Sequence, residues 1–215
     1  SEMCIRDSSE GRSGAQLLAD AIAAARKVDA VVFIGGLNKG DHQDSEGADR
    51  LQLGLPYGQD AVIGALAEAN PNLAVAIVSG NAVAMPWIDR VPAVLEAWYS
   101  GSEVGNALAD VLFGAVNPSG KLPFTFPVRL EDCSAHSAGE YPGDGQVVYR
   151  DGIFVGYRWI EKERIEPLFA FGHGLSYTTF DIANVQADRT SLATTGRLRA
   201  VSYTHLRAHE TRHDL

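Results

Sequence analysis

The chain has 215 residues, 46% hydrophobic and 21% charged, enough to bury a core without disulfide or metal staples. Its formal charge of −9 argues against nucleic acid or an anionic membrane as main partner, because phosphate is repelled. Two cysteines, Cys4 and Cys133, make neither a disulfide framework nor a metal site, and no run approaches the ~20 apolar residues of a membrane span.

Taken in chain order, residues 1–8 fit nothing that follows them. From Ala15 to Lys27 small and aliphatic residues dominate, with Leu18, Ile22 and Ala25 near helical spacing. Val28 to Ile34 reads as a short buried strand ended by Gly35 and Gly36, and a polar loop runs from Leu37 to Arg50. Asp60 to Asn70 is a second predicted helix, broken by Asn70-Pro71-Asn72. Leu73 to Val78 and Val91 to Trp98 are predicted strands, and Val104 to Phe113 is a third helix with Ser102 as a plausible N-cap. Continuous apolar strands alternating with helices predict a parallel sheet covered on both faces, with ligands at the carboxyl ends of its strands. The loop after the first strand sits at that edge.

Beyond Asn117-Pro118-Ser119-Gly120 the texture changes to glycine, proline and aromatics, and helical periodicity fades. Lys121 to Pro127 and Gly152 to Trp159 read as short extended segments, and Thr178 to Val185 as the start of a β-rich unit. Residues 201–215 again fit nothing before them and hold three of the six histidines, His205, His209 and His213. Both terminal segments resemble translated sequencing-adapter read-through and are set aside from fold reasoning. The rival reading of the tail is a histidine-rich metal tract.

The strongest chemical candidate is the loop Asp44-Ser45-Glu46-Gly47-Ala48-Asp49-Arg50. A carboxylic acid can protonate a leaving oxygen if burial or neighbours raise its pKa, and neighbouring acids help keep one of them protonated. Arg50 is a candidate partner for Asp49. The plain alternative is a solvated acidic loop. Phe33-Ile34-Gly35-Gly36-Leu37-Asn38 fails the spacing of a dinucleotide site, and Ser79, Ser100 and Ser102 lack the frame of a serine nucleophile. His42, His136 and His173 are isolated, so no metal spacing is present. Trp87, Trp98, Tyr99, Tyr157 and Trp159 are either sugar-stacking platforms or core filler.

Together the motifs resemble glycoside hydrolase family 3, specifically its second, α/β-sandwich domain. The strings are Asp44 to Arg50, Leu55-Pro56-Tyr57-Gly58-Gln59, Val78-Ser79-Gly80 with Met85-Pro86-Trp87, and Ala97 to Gly105. Asp110 to Gly114, Asn117 to Pro123, Gly156-Tyr157-Arg158 and Phe169 to Tyr177 complete the series. The resemblance implies an α/β sandwich over 9–180 with a mostly parallel sheet flanked by helices. It also implies the truncated start of a fibronectin-III-like β-sandwich over 181–200.

By the same resemblance Glu46 is the proton donor and later the base of a retaining β-glucosidase, with Asp49 and Arg50 as supports of its loop. The nucleophilic aspartate belongs to an amino-terminal (β/α)8 barrel of the same protein, and no residue here resembles that motif. Substrate is then a terminal β-D-glucoside or an oligosaccharide, with β-xyloside as the alternative specificity. No cofactor is implied, the fragment alone is expected to be inactive, and a periplasmic or secreted location is favoured. A non-catalytic carbohydrate-binding or interaction module on the same sandwich is the reading from another class.

Overall fold

The structure is a computed structural model, and it describes residues 11–139, 141, 143, 145–191 and 195–207. In chain order the elements are α1 (Gly14–Ala25), β1 (Val31–Gly36), α2 (Gln59–Ala69), β2 (Leu73–Val78), β3 (Ala93–Glu96) and α3 (Val104–Leu112). They continue with α4 (Ser134–Ser137), α5 (Tyr157–Glu163), β4 (Thr179–Ala187) and β5 (Ala200–Arg207). Two compact units divide the chain, one made of residues up to Leu108 and Leu122–Gly172, the other of Ala109–Lys121 and residues from His173 onward.

In the first unit β1, β2 and β3 form a parallel sheet in that order, Val31 opposite Leu73 and Ile77 opposite Glu96. α1 opens on Ser13, whose hydroxyl accepts from the Gln16 amide while the Gln16 side chain accepts from the Ser13 amide. That reciprocal cap satisfies two otherwise unpaired donors. α1 packs on α2, and α2 on β1 and β2. The core lies there: Ile63 and Leu66 from α2, Leu73, Val75 and Ile77 from β2, with Val83, Trp87 and Phe126 closing it. Burying each such aliphatic or aromatic side chain is worth roughly 1.5–3 kcal/mol.

Asn70 ties the bottom of this layer together. Its buried amide nitrogen donates to the carbonyls of Ala25 and Val28, and its oxygen accepts from the Asn72 amide. The helix breaker expected from Asn70-Pro71-Asn72 is thus also the joint between α1, α2 and β2. At the opposite end Gly36 has φ +139, and a Cβ there would lie 2.0 Å from the Val78 carbonyl oxygen. Only glycine fits where β1 and β2 close up.

Several expectations are corrected. β1 begins at Val31 and keeps both glycines inside the strand, and β3 is limited to Ala93–Glu96. On the edge strand β1 Val32 and Ile34 are 47% and 59% exposed, whereas the central strand β2 is buried at Leu73, Val75, Ala76 and Ile77, on both faces of the sheet. Gly152 to Trp159 is not extended: α5 starts at Tyr157 after Gly156 and stops at Arg164 in a left-handed turn. Seven residues are too few for a 3.6-residue period to show in a sequence. In Lys121 to Pro127 only Phe126 pairs, with Phe169.

In the second unit β4 and β5 form an antiparallel pair with an irregularity between Ala183 and Gln186. β4 matches the expected start of a β-rich unit. Its partner strand takes in Val201 to Arg207, residues that the composition sets apart from the fold. Residues 1–8, with Cys4, and the tail's His209 and His213 lie outside the described residues.

Candidate active site

The loop from Leu37 to Arg50 leaves the carboxyl end of β1. Its base is pinned where the Leu37 amide donates to the Val78 carbonyl at 2.8 Å. Gln59 adds a second pin, accepting from the Gly36 amide and donating to the Gly36 carbonyl, both at 2.8 Å. Polar groups of the loop, the buried Gln43 among them, find partners within it and beyond it. The Asn38 amide donates to Gln43 Oε1, the Asp44 amide to the Asn38 carbonyl, and the Gln43 side-chain nitrogen to the Tyr57 hydroxyl.

The tip is a tight turn. Ser45 and Ala48 form an antiparallel bridge, the Ser45 hydroxyl donates to the Ala48 carbonyl, and Gly47 takes φ +86. That left-handed value is the conformation glycine adopts without a Cβ penalty. Glu46 stands on this turn, exposed, and makes no hydrogen bond among the described residues. It lines an open depression of about 450 Å³ together with Lys39, Gln43, Asp44, Asn81 and Tyr99.

Two side chains flanking the turn fasten it to the scaffold. On one side Asp44 Oδ2 accepts from the Gly80 amide at 2.6 Å and from the Tyr99 hydroxyl at 2.7 Å. Gly80 lies just past β2 and Tyr99 just past β3, so the carboxylate sits at the ends of both strands. A Cβ on Gly80 would come within 3.1 Å of the Tyr99 ring and 3.3 Å of Asp44 Oδ2. On the other side Arg50 donates to the carbonyls of Ala82 and Leu53, each at 2.7 Å. Burial lowers the Arg50 pKa from its ordinary value, and the Asp44 carboxylate opposes that shift.

The expected Asp49–Arg50 pair does not form among the described residues, because the guanidinium fork is taken up by carbonyls. Asp49 instead accepts from the Tyr141 hydroxyl, and its backbone oxygen lies 2.9 Å from His42 Nδ1.

Beneath the loop is a group that sequence reasoning did not single out. Glu96, the last residue of β3, has Oε1 accepting from the Trp98 amide at 3.2 Å and lying 3.2 Å from the Ser79 hydroxyl. Its Oε2 is buried with no hydrogen-bond partner among the described residues. Burial pushes its carboxyl up to about 7, overriding the bonds to Trp98 and Ser79, with Asp44 adding a smaller push in the same direction. Trp98 holds φ +51, a left-handed value uncommon for a bulky residue, and Tyr99 follows directly. Burial and the bond to Asp44 raise the Tyr99 phenol as well. The available signal was a charged residue inside the otherwise apolar run Val91 to Trp98.

The aromatics divide. Trp87 is core, 1% exposed, and Trp98 packs edge-on against Phe124 and Phe126. Trp159 donates to the Asp132 carbonyl, and Tyr157 stacks on Phe171 at 5.3 Å between centroids. Only Tyr99 faces the depression, with the Lys39 ammonium 5.5 Å from its ring centre.

Residues 5–177 match the glycosyl hydrolase family 3 C-terminal domain. Among characterised relatives, the beta-glucosidase BoGH3A of Bacteroides ovatus is 50% identical over 182 residues, covering 83% of this chain and 24% of that protein. Thermostable beta-glucosidase B of Acetivibrio thermocellus is 46% identical over 179 residues, 83% of this chain and 23% of that protein. In three dimensions the chain is similar to DesR, a beta-glucosidase from Streptomyces venezuelae solved with D-glucose. The TM-score is 0.80 at 41% identity, over 87% of this chain and 23% of that one. The chain thus spans about a quarter of the length of these relatives. On the parallel sheet, the matched domain and these likenesses, the chain belongs to glycosyl hydrolase family 3, as a mixed α/β C-terminal domain.

Proposed function

We propose that this chain supplies the proton-transfer half of a retaining β-glucosidase, with Glu46 as acid in the first step and base in the second. The observation that carries the reading is the placement of Glu46: exposed at the tip of a fastened turn, on the rim of a polar depression at the carboxyl end of the sheet. Relatives named as beta-glucosidases point to the same chemistry.

Retaining cleavage needs a second carboxyl roughly 5–5.5 Å away to attack the anomeric carbon. That nucleophile belongs to a barrel domain outside this chain, whose surface would cover Glu46 and exclude water around it. Glu46 then protonates the glycosidic oxygen as it leaves, and the resulting carboxylate draws a proton from the water that releases the sugar. Asp49 and Arg50 act as supports of the loop. Residues 181–200, which hold most of β4, are read as the truncated start of a fibronectin-III-like continuation, and terminal β-D-glucosides are the substrate class.

The test is the chain joined to the amino-terminal part of the Bacteroides ovatus relative. Glu46→Ala should lower turnover of aryl β-glucosides by about 100-fold or more, the usual weight of a general acid. Azide should restore turnover of activated substrates by attacking the glycosyl–enzyme without base assistance. Undiminished turnover in Glu46→Ala removes Glu46 from the mechanism.

A further inference from the structure

We infer that Asp44 is the positioning residue of the Glu46 turn, one carboxylate oxygen clamping that turn to the carboxyl ends of β2 and β3 through the Gly80 amide and the Tyr99 hydroxyl. The inference rests on the reading of Glu46 as proton donor.

The geometry behind it has three parts. The turn from Ser45 to Ala48 is closed on itself by a backbone bridge and the Ser45 hydroxyl, so it moves as one piece. Glu46 makes no bond of its own among the described residues, so its position follows from the two feet of that piece. One foot is Arg50, spread over the carbonyls of Gln52, Leu53 and Ala82, and the other is Asp44. The donor distances at Asp44, 2.6 and 2.7 Å, are those of charge-assisted bonds, about twice as strong as neutral ones.

The clamp is itself held in place. Tyr99 reaches Asp44 because Trp98 turns left-handed, and that turn is secured by the Trp98 amide on Glu96, the Ala97 amide on the Ile77 carbonyl and the Ser100 hydroxyl on the Ala97 carbonyl. Gly80 leaves room for ring and carboxylate to meet over its backbone. A dislocation of a proton donor by even an ångström is expensive in rate, so a foot of this kind acts on catalysis without touching substrate.

Two measurements test it, and they fail separately from the Glu46 reading. In this chain, hydrogen exchange of the Gly80 amide and of residues 45–49 should quicken about tenfold in Asp44→Ala, while the β2 amides Val75 and Ile77 stay within about twofold. Asp44→Asn, whose amide oxygen still accepts both donors, should restore the slow exchange. An unaltered loop, or equal quickening in β2, overturns the clamp. Should Asp44→Ala fail to fold, Tyr99→Phe removes one donor only and is read the same way.

In the joined enzyme, kcat/KM for phenyl β-glucoside should fall about 100-fold in Asp44→Ala, against less than about threefold for the dinitrophenyl glucoside, which leaves without a proton. Damage to the fold would lower both alike. If Glu46→Gln lacks this dependence on leaving group, the proton-donor reading is wrong. If Glu46→Gln shows it and Asp44→Ala loses both substrates equally, the donor stands and the positioning role is wrong.

Discussion

The indole N–H of Trp87 donates to Asp60 Oδ1 at 2.8 Å, and the other oxygen of the same carboxylate accepts from the Leu55 amide. One acid in the first turn of α2 thereby joins the core tryptophan to the segment that carries Leu53, an anchor of Arg50. Trp87→Phe keeps most of the packing but leaves a part-buried carboxylate oxygen unpaired. Urea unfolding should show a loss of about 2 kcal/mol, the usual cost of stranding such a group. A loss no larger than that of an exposed substitution would mean that water already serves this carboxylate.

Stability should depend on pH through Glu96. Its folded-state pKa is raised, from an ordinary value of 4.5 to about 7, so the folded chain holds this proton more tightly than the unfolded one. The contribution is fully present below 4.5 and is lost as pH rises through about 7. The whole span is worth roughly 3 kcal/mol at 1.36 kcal/mol per pKa unit. Denaturation of wild type and Glu96→Gln between pH 5 and 8 checks it: the difference should swing toward the glutamine variant as pH rises. Parallel curves would show that Glu96 does not titrate in this window.

Arg50→Lys should behave as a severe substitution although the charge is kept. A planar fork spans the carbonyls of Ala82 and Leu53, each at 2.7 Å, and a single ammonium cannot reproduce that spread. A loss of about 1–3 kcal/mol is expected from the freed carbonyls, with faster exchange confined to the loop. Wild-type exchange in Arg50→Lys would show that one anchor suffices.

Gly36→Ala should abolish folding of the sheet. The new methyl would lie 2.0 Å from the Val78 carbonyl oxygen, on a backbone at φ +139 that alanine avoids. Circular dichroism of the purified variant is the readout, and a native-like spectrum with unchanged melting would refute the close approach of the two strand ends.

How much of this was legible depends on where the information sits. Leu73 to Val78 reads directly as a strand because nearly every residue is apolar and buried, with no face left to carry a polar signal. β1 is harder: its glycines look like a stop, yet Gly36 belongs to the strand because a missing Cβ lets Val78 approach. Glu46, Asp49 and Arg50 stand together as a recognisable string, so their shared loop is legible. Their bonds are not: the guanidinium chooses carbonyls 3 and 32 residues away over the adjacent acid, a choice set by the folded path of the chain. Tyr99 and Glu96 are remote from the loop in sequence, and only the parallel register brings the ends of β1, β2 and β3 to one edge.

Arg50 grips main-chain oxygens, and Asp44 takes one of its two donors from a main-chain nitrogen. A peptide carbonyl survives replacement of the side chain beside it, so the grip of Arg50 does not itself constrain the side chains at positions 53 and 82, although Ala82 is held to a small residue by its place in the core. Tolerance on that side should therefore be set by packing alone, while a methyl at Gly80, 3.1 Å from the Tyr99 ring and 3.3 Å from Asp44 Oδ2, would push ring and acid back by a few tenths of an ångström and strain the clamp directly.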